Sequence, residues 1–111
     1  MNRNKLIDAF IGNISNSMAH EILKMAVDDE TIRSRYLKEL TTSMKTALNY
    51  RNKINLVNSK LQDEDVNYIK DKIIKRVRSK LSNRINEGYK NINLGLIEII
   101  ADKYLKEAKI I

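Results

Sequence analysis

The chain has 111 residues, of which 42% are hydrophobic and 32% are charged, as expected for one folded domain rather than a disordered segment. It contains no cysteine, which excludes disulfides, thiol catalysis and cysteine-ligated zinc. It also contains no proline and only three glycines, which favours long helices over a turn-rich β fold. We therefore predict a single all-α domain over residues 1–111.

The apolar residues are too dispersed for a membrane span. The densest apolar run, residues 92–101, is interrupted by Glu98 and is shorter than the ~20 residues that a spanning helix needs. The first ten residues lack the apolar core and the cleavage site of a signal peptide. These features predict a cytoplasmic protein without membrane attachment.

The formal net charge of +7 is concentrated in the middle of the chain. Residues 31–60 contain seven basic residues and one acidic residue, whereas residues 1–30 contain three basic and five acidic ones. Residues 61–90 contain eight basic and five acidic residues. The excess positive charge is therefore expected on folded helices and not on a terminal tail.

Apolar residues recur at helical spacing in four segments, which predicts an up-down bundle of about four amphipathic helices. The first helix is expected over about residues 4–27, with Asn4 as its cap, and Gly12 leaves room for a kink or an early break. The second should run from about Glu30, at the end of the acidic triplet 28–30, to Arg51 or beyond.

The other two helices follow a predicted loop. Residues 52–62 are rich in asparagine and are interpreted as a fraying helix end and a loop. The third helix should open at the acidic triplet 63–65 and end near Gly88, and the fourth should be capped by Asn91 or Asn93.

Each predicted helix has one apolar face that is expected to be buried. On the first helix this face is Ile7, Ile11, Ile14, Met18, Ile22 and Met25, and on the second it is Ile32, Tyr36, Leu37, Leu40, Met44, Ala47 and Leu48. On the third it is Val66, Ile69, Ile73, Ile74, Val77, Leu81 and Ile85, and on the fourth Leu96, Ile97, Ile100, Ala101, Tyr104, Leu105 and Ala108.

The third helix carries the most informative charge pattern. One residue before its apolar ridge, a row at four-residue steps is entirely cationic and spans roughly 18 Å. Like charges at this spacing destabilise a helix, and no acidic residue between Lys75 and Arg84 offsets them. Phosphate backbones attract such clustered cations. The candidate nucleic-acid-binding residues are Lys72, Lys75, Arg76, Arg78, Lys80 and Arg84 on this helix, with Arg33, Arg35 and Lys38 on the second.

A simpler interpretation of these cations is a solvated face with partners on the first or fourth helix. No base-reading motif accompanies them, so binding through them should be only weakly sequence-specific. The five tyrosines would stack on bases if they were exposed, but they are more simply explained as amphipathic residues at the rim of the bundle. Met18, Met25 and Met44 are expected to fill the core.

Groups for other chemistry are scarce. Each acidic triplet supplies carboxylates of the kind that bind magnesium, but a helix start explains the triplets better. His20 is the only histidine, and Glu21 cannot serve as its partner because adjacent helical residues point in different directions. We therefore expect no enzymatic activity, metal ion or cofactor.

The leading hypothesis is a small basic helical protein that contacts nucleic acid, or a nucleoprotein assembly, through phosphates. The alternative is a protein-interaction or scaffold bundle that docks an acidic protein partner or forms a homodimer, without any contact to nucleic acid. Its motivation is the apolar excess of the first helix together with Ile110 and Ile111 at the end of the chain.

Overall fold

The computed structural model describes residues 1–55 and 59–111. Within these residues the chain forms four α-helices: α1 (Arg3–Ala26), α2 (Glu30–Ile54), α3 (Asp63–Asn86) and α4 (Ile97–Glu107). A short 3-10 turn at Leu94–Leu96 precedes α4. The predicted all-α bundle is therefore confirmed. Two apolar residues of the predicted loop, Leu56 and Val57, lie outside the described residues.

Local capping explains where the helices begin and end. Asn2, and not the predicted Asn4, caps α1 by accepting a hydrogen bond from the Lys5 backbone N–H. Asp29 caps α2 in the same way. Gly88 has a φ of 102° and ends α3 as predicted, in a motif in which the Tyr89 N–H donates to the Arg84 carbonyl. Asn2, Asp29 and Gly88 thus fix these helix ends by satisfying free backbone groups. At the start of α3 the cap residue is Gln62, which makes no side-chain cap bond.

The central helix of the bundle is α1, which packs against each of the other three. Ser17 Oγ donates to the Leu40 carbonyl at 2.6 Å, and further along α1 the His20 ring meets Glu39, so α2 runs antiparallel to α1. Asp8, near the start of α1, accepts a hydrogen bond from Tyr68, near the start of α3, so these two helices run parallel. The end of α4 returns beside the start of α3, which completes an up-down-up-down order.

Three helices supply most of the core, and α2 supplies less. The largest side chains with almost no exposure include Phe10, Ile11, Ile14, Met18 and Ile22 from α1, Ile69, Ile73, Val77 and Leu81 from α3, and Ile97 and Leu105 from α4. From α2 the buried apolar residues are Tyr36, Ala47 and Ile54. Although α2 packs extensively against α1, many of its side chains face solvent.

Three residues predicted to be buried are exposed. Leu37 is 49% exposed because it lies about 100° around α2 from the buried Tyr36. Ile85 is 40% exposed because a row at four-residue steps drifts about 40° around the helix at each step, so its last member has turned away from the core. Met25 lies in the last turn of α1, at the end of the bundle, and is also exposed.

Tyr104 of α4 is buried, and this gives a pH prediction. Burial raises the pKa of Tyr104 to about 12, although a hydrogen bond with Ser17 opposes the shift. Between pH ~10 and ~12 the unfolded chain would lose this proton while the folded chain keeps it, so stability should fall as pH rises through that window. The absorbance of tyrosinate, followed against pH, should show a step near pH 12 that is absent in Tyr104→Phe. Ionisation of all five tyrosines in one transition near pH 10 would contradict this prediction.

None of the helices in residues 1–55 and 59–111 is both long enough and apolar enough to cross a membrane.

Candidate functional site

A polar row on α1 forms the floor of a groove. Asp8, Gly12, Asn16 and His20 follow one another at four-residue steps, so they lie in one row along α1. Asp8 lines a cleft together with Lys72 of α3. Further along, Asn16 and His20 line clefts both with α3 and with α2. The floor is therefore bounded by α3 on one side and by α2 on the other.

We call this feature the basic groove. Its floor is the polar row of α1, its cationic wall is the row Lys72, Arg76, Lys80 and Arg84 on α3, and its second wall, on α2, includes Lys38, Thr42 and Ser43. The volume of the cleft around Lys80, Arg84 and His20 is about 280 Å³.

The cationic row changes its angle along α3. Because each four-residue step turns about 40° further around the helix, the row turns by about 120° from Lys72 to Arg84. Lys72, Arg76 and Lys80 are exposed, and Arg84 is half-buried because it has rotated towards the core side. The same rotation exposes Ile85. The row therefore winds along the groove and does not form a straight line of charge.

Arg76 lies across the floor of the groove. A Cβ atom added at Gly12 would be 3.2 Å from Arg76 Nη1, which is tighter than most contacts of a real Cβ. Helix α1 nevertheless runs without a break from Arg3 to Ala26. The kink or early break considered at Gly12 thus does not interrupt the helix, and the glycine leaves room for a guanidinium.

Several cations of α3 have acidic neighbours, and others do not. Lys75 Nζ lies 3.1 Å from an Asp71 carboxylate oxygen, and Arg84 Nη1 lies 3.7 Å from a Glu87 carboxylate oxygen. Within the described part of the chain, Lys72, Arg76, Arg78 and Lys80 form no ion pair. These exposed pairs contribute little stability, and an incoming phosphate can displace them at small cost. The cationic wall therefore keeps most of its positive charge.

The three candidate residues of α2 are exposed but do not act as a group. Lys38 lines the groove beside Asn16 and His20. Arg35 lies near the hydroxyl of Tyr36, where its charge opposes the upward shift of the tyrosine pKa that burial causes. Arg33 is exposed in the second turn of α2 and takes no part in the groove lining of the described residues. Lys38 thus borders the same floor residues, Asn16 and His20, as Lys80 and Arg84 do from the α3 side, and Arg33 lies apart.

His20 is held by two oxygen atoms. Its Nδ1 lies 2.8 Å from the Asn16 carbonyl oxygen, and its Nε2 lies 2.7 Å from a Glu39 carboxylate oxygen. The ring also contacts Tyr36, with the two ring centroids 5.6 Å apart. Glu21, the neighbour considered from sequence, instead lies 3.6 Å from Lys103 Nζ. His20 is therefore a fixed part of the groove floor that links α1 to α2.

Sequence reasoning missed the floor of the groove. Asn16 was not singled out, and the partner of His20 proved to be Glu39, which is nineteen positions away and on another helix. A signal was nevertheless present, since Asp8, Asn16 and His20 recur at multiples of four residues on α1, beside its buried apolar face. Such a row on a central helix marks a place where neighbouring helices do not close over it.

Two exposed tyrosines stand at the ends of the cationic row. Tyr68 is 41% exposed, and Lys72 Nζ lies 5.8 Å from the centroid of its ring. Tyr89 is 37% exposed, and Arg84 Cζ lies 5.2 Å from the centroid of its ring. Both hydroxyls are also bonded, Tyr68 to Asp8 and Tyr89 to Arg84. Each ring is therefore held next to a cation at one end of the row.

A second cleft lies between α2 and α4. Its volume is about 420 Å³, and its apolar lining includes Leu40, Met44, Leu48 and Tyr104. Charged residues of both signs line it as well, among them Glu21 and Lys103. Among the described residues, no three His, Asp or Glu side chains converge as they would at a metal site. The two α1–α3 clefts of the basic groove, by contrast, are lined by five basic and two acidic residues.

No protein family, curated protein or solved structure matches this chain, so its function is inferred from the arrangement of its own residues.

Proposed function

We propose that this protein binds nucleic acid in the basic groove, mainly through phosphate groups. The observation that carries the proposal is the row Lys72, Arg76, Lys80 and Arg84, which lines two clefts between α1 and α3. Among the described residues, only Arg84 of this row forms an ion pair. A helix designed only for solubility would alternate these cations with glutamates. Like charges four residues apart destabilise a helix, and phosphate binding would explain why this helix carries them.

The polar residues around the row suit the same ligand. Asn16 and Asn83 line the groove beside Lys80, and Ser79 lies beside Arg76. Amide and hydroxyl groups donate hydrogen bonds to phosphate oxygens, which positions a nucleic acid without reading its sequence. In residues 1–55 and 59–111, α2, α3 and α4 each pack against α1, so none of these helices projects alone as a major-groove reader would. The expected binding is therefore only weakly sequence-specific.

The dependence of binding on salt tests this proposal. Fluorescence anisotropy with labelled DNA and RNA should show binding at ~50 mM salt that weakens by roughly 50- to 150-fold at ~200 mM, if four phosphates are neutralised. The affinity falls because the protein displaces counterions from the nucleic acid, and the release of these ions is less favourable into concentrated salt. Affinity that stays constant between the two salt concentrations would contradict phosphate-driven binding.

Self-association is a second candidate function, favoured by exposed apolar side chains. Met25, Leu37, Ile85 and Ile99 are all large, apolar and exposed. If no nucleic acid binds even at low salt, the molecular mass in solution decides this candidate. A dimer at micromolar concentration would support a homodimeric interaction module, and a strict monomer at high concentration would count against it.

A further inference from the structure

We propose that the ligand of the basic groove is a single-stranded nucleic acid, whose bases stack on Tyr68 and Tyr89 at the two ends of the cationic row. This inference rests on the proposed function and narrows it to one class of ligand. It depends on the exposure of the two tyrosines, on the cations beside their rings and on the winding of the row.

The first argument comes from the tyrosines. In the described structure Tyr36 and Tyr104 are buried, whereas Tyr68 and Tyr89 are exposed and border the cationic row. Proteins that bind single strands combine a positively charged groove with aromatic rings on which unpaired bases stack. In a duplex the bases are already stacked on one another, so exposed tyrosines would gain little from it. The two rings thus match a ligand with accessible base faces.

The second argument comes from the cations beside the rings. Lys72 lies over the ring of Tyr68, and the Arg84 guanidinium lies over the ring of Tyr89. A cation in this position stabilises the ring and remains able to meet the phosphate next to a stacked base. Base and phosphate contacts are therefore paired at each end of the groove, as the alternation of bases and phosphates along a single strand requires.

The third argument comes from the shape of the row. Its direction turns by about 120° around α3 between Lys72 and Arg84. Duplex DNA is stiff over ~50 nm, so a duplex lying against the groove would meet only part of such a row without bending. A single strand rotates freely about its backbone bonds and can follow the turn. Full use of the four cations thus favours a flexible strand.

The test compares single-stranded and double-stranded ligands on the full chain. Labelled oligothymidylate, oligouridylate and a mixed-sequence duplex, each ~20 nucleotides or base pairs long, would be titrated at one low salt concentration. We expect both single strands to bind at least about tenfold more tightly than the duplex. Equal or tighter binding of the duplex would overturn the inference while leaving the phosphate-binding groove in place, and absence of all binding would overturn both.

Variants of the two tyrosines test the stacking itself. Tyr68→Ala and Tyr89→Ala should each weaken single-strand binding by about 5- to 100-fold, in line with the loss of one stacked base. Tyr68→Phe and Tyr89→Phe are matched controls, because they keep the ring and lose only the hydroxyl, which bonds to Asp8 in Tyr68 and to Arg84 and Tyr36 in Tyr89. We expect these to stay within about threefold of the original protein.

The stacking variants also separate a direct role from a change in folding. Circular dichroism and the thermal midpoint of each variant would be compared with those of the original chain. A folded alanine variant that binds single strands as tightly as the original protein would overturn the role of that tyrosine. Loss of binding in the phenylalanine variants as well would assign the effect to the hydroxyl bonds, and that result would overturn stacking too.

Discussion

Replacing Arg76, Lys80 and Arg84 by glutamate should reduce nucleic-acid binding at ~50 mM salt by at least about 1,000-fold, because each change removes a phosphate contact and adds a repulsive charge. All three residues line the basic groove. They lie outside the buried ridge of Ile69, Ile73, Val77 and Leu81, so the helical content should be retained. Anisotropy measures the loss, and circular dichroism verifies the fold.

A matched triple variant provides the control. Lys45, Lys60 and Lys106 are exposed residues outside the basic groove, and changing them to glutamate lowers the formal net charge from +7 to +1, as the groove variant does. If the position of the charges matters, this control should bind far more tightly than the groove variant. Equal losses in the two variants would mean that net charge alone attracts the nucleic acid and that the groove is not the site.

Arg51→Met should destabilise the protein by about 3–5 kcal/mol, because it removes a buried guanidinium that satisfies several oxygen atoms. Arg51 is only 3% exposed. Its Nε donates to the Ala108 carbonyl at 3.0 Å, its Nη2 to the Lys109 carbonyl at 2.9 Å, and its Nη1 to Asn55 Oδ1 at 2.6 Å. Burial lowers the pKa of Arg51, but an arginine remains charged at neutral pH.

The effect should concentrate at the turn that follows α4. Lys109 has a φ of 57°, a left-handed backbone conformation that is unfavourable for residues other than glycine. Arg51 donates a hydrogen bond to the carbonyl of this residue. The turn also directs Ile110 into the core, while Ile111 is exposed. Without Arg51 these carbonyls would lose their partners, so α4 and the chain end should detach first.

Urea denaturation would measure this loss of stability. Arg33→Met is a suitable control on the same helix, since Arg33 is exposed and its substitution should change stability by no more than about 0.5 kcal/mol. Arg51→Lys tests whether the shape of the guanidinium matters, because a lysine keeps the positive charge but lacks the planar group that donates to several acceptors at once. Full stability in Arg51→Lys would show that charge suffices, whereas an unchanged Arg51→Met would rule out the clamp.

Local signals in the sequence determined the helices of this protein. The cap at Asp29 and the αL stop at Gly88 each act on backbone groups within a few residues. The acidic residues 63–65 lie in the first turn of α3, where they favour the positive end of the helix dipole, so a sequence pattern is enough to place all three features. The buried ridge of α3 also followed from periodicity, except at its last member. Strict four-residue spacing predicts too long a buried face, because a helix has 3.6 residues per turn and the row rotates at each step. Ile85, the last member of the row, is therefore exposed.

Contacts between distant segments could only be decided by the tertiary structure. Arg51 looks like another surface cation in the sequence, and it becomes a buried clamp because the end of α4 returns to α2 across 57 positions. The five tyrosines have no local signal that separates buried from exposed ones, and only the packing of the helices leaves Tyr68 and Tyr89 beside the groove. The cationic row was visible from residue types and spacing alone, but its floor, including His20 with Glu39, depends on how α1 meets α2 and α3. Residue chemistry and short-range spacing are properties of one segment, whereas burial and groove geometry arise only when segments pack together.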